Sequence, residues 1–139
     1  MSTQEVKRRT KKSELYQEEF GFIFNDKKAF CVRGALVVSA FVEAQILLLA
    51  ESFLEEKGVK YKPEPRQEYS QSLNVLGAND ILNSKELKQI NEFREKRNRA
   101  IHRIFKGMTR GEWEKQNNKV VELGRLIVQN LDKKLHFEE

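Results

Sequence analysis

The only two prolines of this 139-residue chain, Pro63 and Pro65, lie two residues apart near its middle. Because proline interrupts both helices and central strands, the chain on either side of this pair can form long elements without a break. No segment alternates apolar and polar residues in the way that a half-buried strand requires. The sequence therefore predicts an all-α fold.

Capping residues and glycines predict where the helices begin and end. Gly58 fits the left-handed stop position of a helix, and Asn83 with Glu86, like Thr109 with Glu112, has the pattern of a capping box. Five helices are expected, at about Thr3–Phe20, Asp26–Lys57, Gln67–Leu76, Asn83–Phe105 and from Thr109 onward. The main loop is expected at Lys60–Pro65. The third helix should stop at Gly77 before a turn at Asn79–Asp80, and a tight connection at Lys106–Met108 should precede the fifth helix. Short connections favour antiparallel neighbours, so we expect an antiparallel bundle of four to five helices in a single domain, 1–139.

The charge balance favours an acidic partner. The chain has 26 Lys and Arg against 21 Asp and Glu, a net charge of +5 and a sequence pI near 9.3. Nucleic acids and acidic proteins are the partners that such a balance favours. The basic run at 7–12 is also typical of a solvated helix face, which is the interpretation we favour for it.

The sequence contains no recognisable motif for binding a metal or a nucleotide cofactor. The two histidines and the single cysteine, Cys31, cannot make a tetrahedral zinc site without carboxylates, and no HExxH or CxxC spacing is present. A phosphate-binding GxxxxGK[ST] loop and a GxGxxG turn are absent as well. We therefore expect neither a metal nor a cofactor.

The most apolar stretch, Gly34–Ala50, is interpreted as a buried core helix. Ser39, Glu43 and Gln45 interrupt it, and it is shorter than the roughly 20 residues of a membrane span. No apolar signal-peptide core follows the charges at the N-terminus, and a lone cysteine fits a reducing compartment. The expectation is a cytoplasmic protein without a membrane partner.

A cation stands inside the apolar stripe of the predicted fourth helix. Arg97 projects from the middle of a stripe formed by Ile90, Phe93, Ala100, Ile101 and Ile104. Burying an unpaired guanidinium there would cost several kcal/mol. Asn98 and His102, four residues apart, share one column at the margin of the stripe.

Two interpretations of this segment remain open. In the structural one, Arg97 pairs with Glu43 or extends its head past the edge of the core, and His102 complements the helix C-terminus. In the functional one, the segment cleaves RNA, which needs a group that moves the 2′-hydroxyl proton and a cation on the phosphoryl oxygens. His102 titrates near neutral pH, and Arg97 offers a fork of donors matched to phosphate.

The segment Leu73–Ile104 resembles the motif helix of the HEPN superfamily, whose signature is Arg, a polar residue and then His. The likeness is carried by Leu76–Gly77, Leu87, Ile90, Phe93, Arg97–Asn98 and His102, and helix two, Arg33–Leu54 with its internal Glu43, resembles the long core helix of that family. The resemblance implies a helical bundle that forms a homodimer, bringing two copies of the motif together in a basic cleft. It also implies a metal-independent endoribonuclease of a toxin–antitoxin or other defence system, which leaves a 2′,3′-cyclic phosphate.

The resemblance implies a role for each residue by its position. Arg97 would stabilise the phosphate in the transition state, His102 would transfer the proton, and Asn98 would orient the substrate or the imidazole. Glu43 would be a supporting residue. The basic residues expected to contact RNA are Lys96, Arg99, Arg103, Lys106 and Arg110. The alternative is that these residues are ordinary surface charges, which bind no ligand. Toxins of this family that pair with a minimal nucleotidyltransferase antitoxin often carry Tyr where this chain has Ile104, so silencing by modification of that tyrosine is not implied here. A cognate antitoxin or regulatory protein is an expected partner.

Two alternatives to the ribonuclease hypothesis remain open. Mannitol-repressor-like proteins share the bundle and an Arg-Asn-x-x-x-His pattern, which implies a non-catalytic RNA- or protein-binding regulatory module as the alternative. A purely structural helical bundle is the third possibility.

Overall fold

The described residues form five α-helices. The computed structural model describes residues 9–11, 14–26, 32–102 and 109–138, with the side chains of 14–15, 17–26, 33–100 and 109–135. The helices are α1 (Glu14–Asn25), α2 (Val32–Glu56), α3 (Glu68–Ala78), α4 (Ser84–His102) and α5 (Arg110–Lys134). The predicted all-α bundle is confirmed.

Two three-residue strands, β1 (Arg9–Lys11) and β2 (His136–Glu138), pair in parallel and join the two ends of the chain. The sequence analysis did not predict them, because three residues are too few to show an alternating pattern. Helix one is present, but its predicted start at Thr3 is wrong: Arg9–Lys11, in the basic run assigned to its first turns, form β1, and α1 begins at Glu14. It continues past Phe20 to Asn25 because Phe22, Ile23 and Phe24 join or pack against the core.

The predicted stop at Gly77 is also wrong, since α3 runs on to Ala78. Gly77 instead permits close packing: a Cβ atom built on it would lie 3.0 Å from Cδ1 of Leu87 on α4. The helix is closed by Asn79, whose Nδ2 donates to the Val75 carbonyl at 2.8 Å, and by Asp80, which has a φ of 57°.

The other predicted caps are confirmed. Gly58 has a φ of 78°, a conformation that glycine adopts readily. The amide of Asn83 donates to Oε1 of Glu86 at 3.0 Å, and the amide of Glu86 donates to Oδ1 of Asn83 at 2.8 Å. At the start of α5 the hydroxyl of Thr109 accepts from the amide of Glu112 at 3.2 Å.

Glu86 fixes the start of α4 on the end of α5. Its carboxylate also accepts from Nδ2 of Asn130 and lies 3.3 Å from Nζ of Lys134. Burial by itself raises the pKa of Glu86, but the Asn83 amide, the Asn130 amide and the Lys134 ammonium together hold that pKa below its ordinary value. The carboxylate therefore stays ionised near neutral pH and keeps these two helix ends together.

Helices α4 and α5 run antiparallel to each other. Near one end of the α4–α5 pair Glu86 meets Lys134, and further along α4 Phe93 meets Gly124, so α5 runs back along α4. The buried cluster takes residues from all five helices. Within the described residues, Arg33–Glu56 of α2 is long and apolar enough to cross a membrane, and more than half of its most apolar stretch is buried in the bundle, as in the core helix that the sequence predicts.

Gly124 is expected to be required for the packing of α5. A Cβ atom there would lie 2.6 Å from Cγ2 of Val38 and 3.0 Å from Cε2 of Phe93, and both side chains are buried. Gly124→Ala should lower the free energy of unfolding by about 1–3 kcal/mol, measured by urea denaturation. The control is Gly111→Ala on the same helix, where a Cβ atom meets nothing within 4 Å and helix propensity should raise stability by up to about 1 kcal/mol. Equal effects of the two substitutions would contradict this account.

Candidate nucleic-acid interface

Arg97 lies in the seam between α4 and α2, flanked along α4 by the buried side chains of Phe93 and Ala100. Its side chain is 23% exposed, and its Nη1 lies 3.6 Å from Oε1 of Glu43 on α2. The pairing with Glu43 that the sequence left open is therefore present.

This ion pair leaves the guanidinium only partly satisfied. At 3.6 Å the two atoms are beyond the usual hydrogen-bonding distance, and the Glu43 side chain is 51% exposed. Nε of Arg97 is buried and has no hydrogen-bond partner. A buried donor without a partner costs about 1–3 kcal/mol, so this guanidinium is only partly stabilised by its contacts within the chain.

Two further residues complete a cluster at this seam. The guanidinium carbon of Arg94, three residues before Arg97, lies 4.9 Å from the centre of the Tyr69 ring, within the range of a cation–π contact. Tyr69 lies in the first turn of α3. We call the four residues from three helices, Glu43, Tyr69, Arg94 and Arg97, the seam cluster.

Burial and the neighbouring charges shift the pKa of Tyr69. Burial is the largest influence and raises the pKa of Tyr69, the charge of Arg94 lowers it, the charge of Glu43 raises it and the charge of Arg97 lowers it. The net pKa is above the ordinary value of 10.0. The phenol is therefore protonated at neutral pH, and its hydroxyl is able to donate a hydrogen bond.

Helical geometry places two predicted site residues, Asn98 and His102, on the same side of Arg97 as Arg94, which the sequence analysis did not predict. At 100° per residue, Arg94 and Asn98 lie about 60° and 100° from Arg97 in one direction, and Asn98 is half-buried. The position of His102 follows at about 140° in the same direction. Its backbone ends α4, and its side chain lies outside the described residues.

The predicted RNA-contacting residues do not join the seam cluster. Lys96 lies about 100° from Arg97 in the opposite direction, and its Nζ is 3.9 Å from Oε1 of Glu92. Arg99 is exposed and lies about 160° from Arg97, nearly on the opposite face of α4. Arg110 forms an exposed i,i+4 pair with Glu114 at 3.2 Å. Arg103 and Lys106 lie outside the described residues.

Sequence reasoning missed Tyr69 and Arg94 for different reasons. Arg94 carried a usable signal, because residues three apart on a helix are neighbours on its surface. Tyr69 carried no such signal, since its place beside α4 follows from the antiparallel packing of α3 against α4.

Among the described residues no group of three or more His, Cys, Asp and Glu side chains is placed to hold a metal ion. The cations of the seam cluster are suited to bind an anion.

The Glu43–Arg97 pair should contribute little to stability. A double-mutant cycle with Glu43→Gln and Arg97→Gln should give a coupling free energy below about 1 kcal/mol, as for other exposed pairs, measured by urea denaturation. The reference is the cycle of Glu86→Gln with Lys134→Gln, whose side chains are only 14% and 21% exposed and whose coupling should be larger. A coupling for Glu43–Arg97 that equals or exceeds the reference would identify the pair as a structural bridge.

Comparison of the chain with protein-family models, with curated proteins and with solved structures found no match.

Proposed function

We propose that this protein is a metal-independent endoribonuclease of the HEPN type, acting as a homodimer in a toxin or defence system. The observation that supports it most is the guanidinium of Arg97, which is 23% exposed, loosely paired with Glu43 and left with an orphaned Nε. A phosphodiester is the RNA group that would satisfy such a fork, because planar guanidinium donors match phosphate oxygens.

The proposed reaction is an internal transesterification. The 2′-oxygen of RNA forms a bond to phosphorus, the bond from phosphorus to the 5′-oxygen breaks, and the products are a 2′,3′-cyclic phosphate and a 5′-hydroxyl. The 2′-hydroxyl loses a proton and the leaving oxygen gains one. His102 is assigned one of these transfers, Arg97 the charge that builds on the phosphoryl oxygens, and Asn98 the orientation of imidazole or substrate. The nucleophile belongs to the substrate, so the chemistry requires no metal or cofactor.

An exposed apolar face on α2 supports the homodimer. Leu36 is 50% exposed, and Ala40 and Ala44, one and two turns further along, are also exposed. Glu43 lies on this same face, which therefore borders the seam cluster. Small residues such as alanine allow two helices to approach closely, so a second copy seated here would bring its own Arg97 towards the first.

The remaining expected contacts belong to this proposal. Lys96, Arg99 and Arg110, with Arg103 and Lys106, would contact the RNA backbone on either side of the cleaved bond, where each phosphate contact adds salt-dependent affinity. A cytoplasmic location and a neutralising antitoxin or regulatory protein complete the proposed setting.

A non-catalytic regulatory module is the second candidate, and one observation favours it. The seam cluster contains two guanidinium groups, a phenol and the Glu43 carboxylate, which pairs with Arg97. The guanidinium groups and the phenol are binding groups, and the proposed mechanism assigns its proton transfer to His102, outside the cluster. Binding of RNA or of a partner protein without cleavage would identify this alternative.

His102→Ala should abolish RNA cleavage. Wild-type protein should cleave single-stranded RNA in the presence of EDTA and leave 2′,3′-cyclic phosphate ends, and the variant should lose at least about 100-fold in rate, which is the usual contribution of a general acid or base. The matched control is His136→Ala, which removes the other histidine, in β2, and should keep activity. Cleavage by His102→Ala at the wild-type rate would overturn the mechanism, and RNA binding without cleavage by wild type would favour the regulatory module.

A further inference from the structure

We infer that Tyr69 and Arg94 form a second phosphate-binding subsite for RNA, next to the phosphate assigned to Arg97. The inference rests on the proposed function for the identity of the ligand, and on the seam cluster for its geometry. Arg94 and Arg97 are three residues apart on α4, so their Cβ atoms are about 5–6 Å apart. At that separation both guanidinium groups can contact one RNA strand.

Arg94 is available to a ligand. Its guanidinium carbon lies 4.9 Å from the Tyr69 ring centre, the residue is exposed, and it forms no ion pair with a carboxylate in the part of the chain that the structure describes. Stacking on the ring orients the guanidinium without using up its hydrogen-bond donors. An exposed, oriented and unpaired arginine is suited to phosphate recognition.

Tyr69 adds a donor on the opposite side of the seam. Burial outweighs the lowering effect of Arg94 and holds the pKa of its phenol above 10.0, so the hydroxyl keeps its proton at neutral pH. Tyr69 also lies in the first turn of α3, whose N-cap residue Gln67 makes no side-chain capping hydrogen bond. That turn carries the positive end of the helix dipole, which favours an anion nearby, and Glu68 of the same turn already supplies one carboxylate.

A purely structural role for the same pair leads to a different expectation. If the Arg94–Tyr69 contact served only to close the seam between α3 and α4, removing the charge or the hydroxyl would change stability and leave RNA affinity intact. Tyr69→Phe separates the two roles, because it keeps the ring under Arg94 and removes only the hydroxyl.

The test uses a probe that cannot be cleaved, a 5′-fluorescein-labelled octanucleotide RNA methylated at every 2′-oxygen. Its dissociation constant is measured by fluorescence anisotropy over a series of salt concentrations, and the thermal midpoint of each protein is measured in parallel. The variants are Tyr69→Phe and Arg94→Gln. Tyr61→Phe is the control for a lost hydroxyl, because Tyr61 bonds to Ser72 at 2.8 Å, and Lys133→Gln near the end of α5 is the control for a lost charge.

Arg94→Gln should weaken binding about tenfold and reduce the slope of log K against log salt by about 0.7, the value for one phosphate contact on a single strand. Tyr69→Phe should weaken binding at least about tenfold, as expected for a hydrogen bond to a charged group, with the slope unchanged. Both controls should bind like wild type.

Two results would overturn the inference. One is wild-type affinity in both Tyr69→Phe and Arg94→Gln, and the other is failure of the wild-type protein to bind the probe. Cleavage of unmodified RNA by wild type and its loss in His102→Ala would leave the proposed function standing in either case. If wild type neither binds the probe nor cleaves RNA, the proposed function fails as well.

Discussion

The guanidinium of Arg97 is the charge around which the seam of α2, α3 and α4 is arranged. Arg97 lies in the apolar stripe of α4, where an unpaired cation is costly. Its Nη1 is 3.6 Å from Oε1 of Glu43, and its buried Nε has no hydrogen-bond partner. A fold selected for stability alone would have an apolar side chain there or a closer carboxylate. The loose pairing is what a site needs if a phosphate is to displace the carboxylate.

The helices around the seam are held by contacts that lie away from it. Gly124 allows α5 to approach α2 and α4 closely, and the ionised Glu86 joins the start of α4 to Lys134 at the end of α5. On the other side Gly77 brings α3 against Leu87, which places Tyr69 beside Arg94. Because the scaffold is stabilised elsewhere, the seam can carry a charge that is only partly satisfied.

The sequence predicted the parts of this structure that depend on local rules. The stop at Gly58 and the caps at Asn83 and Thr109 follow from short-range backbone chemistry, and Glu43 was a candidate partner of Arg97 because it is the one carboxylate in an apolar run. The features that it missed depend on contacts between distant segments. These are the pairing of β1 with β2, the continuation of α3 through Gly77, and the meeting of Tyr69 with Arg94.

The most direct test of this account is Arg97→Met, with stability and RNA binding measured on the same protein. Methionine fits an apolar seam and removes both the charge and the unpaired buried Nε, so the account predicts that the free energy of unfolding is unchanged or rises by up to about 3 kcal/mol, while affinity for single-stranded RNA falls at least about tenfold. An Arg97→Met protein that binds RNA as tightly as wild type would contradict the claim that this guanidinium is retained for a phosphate.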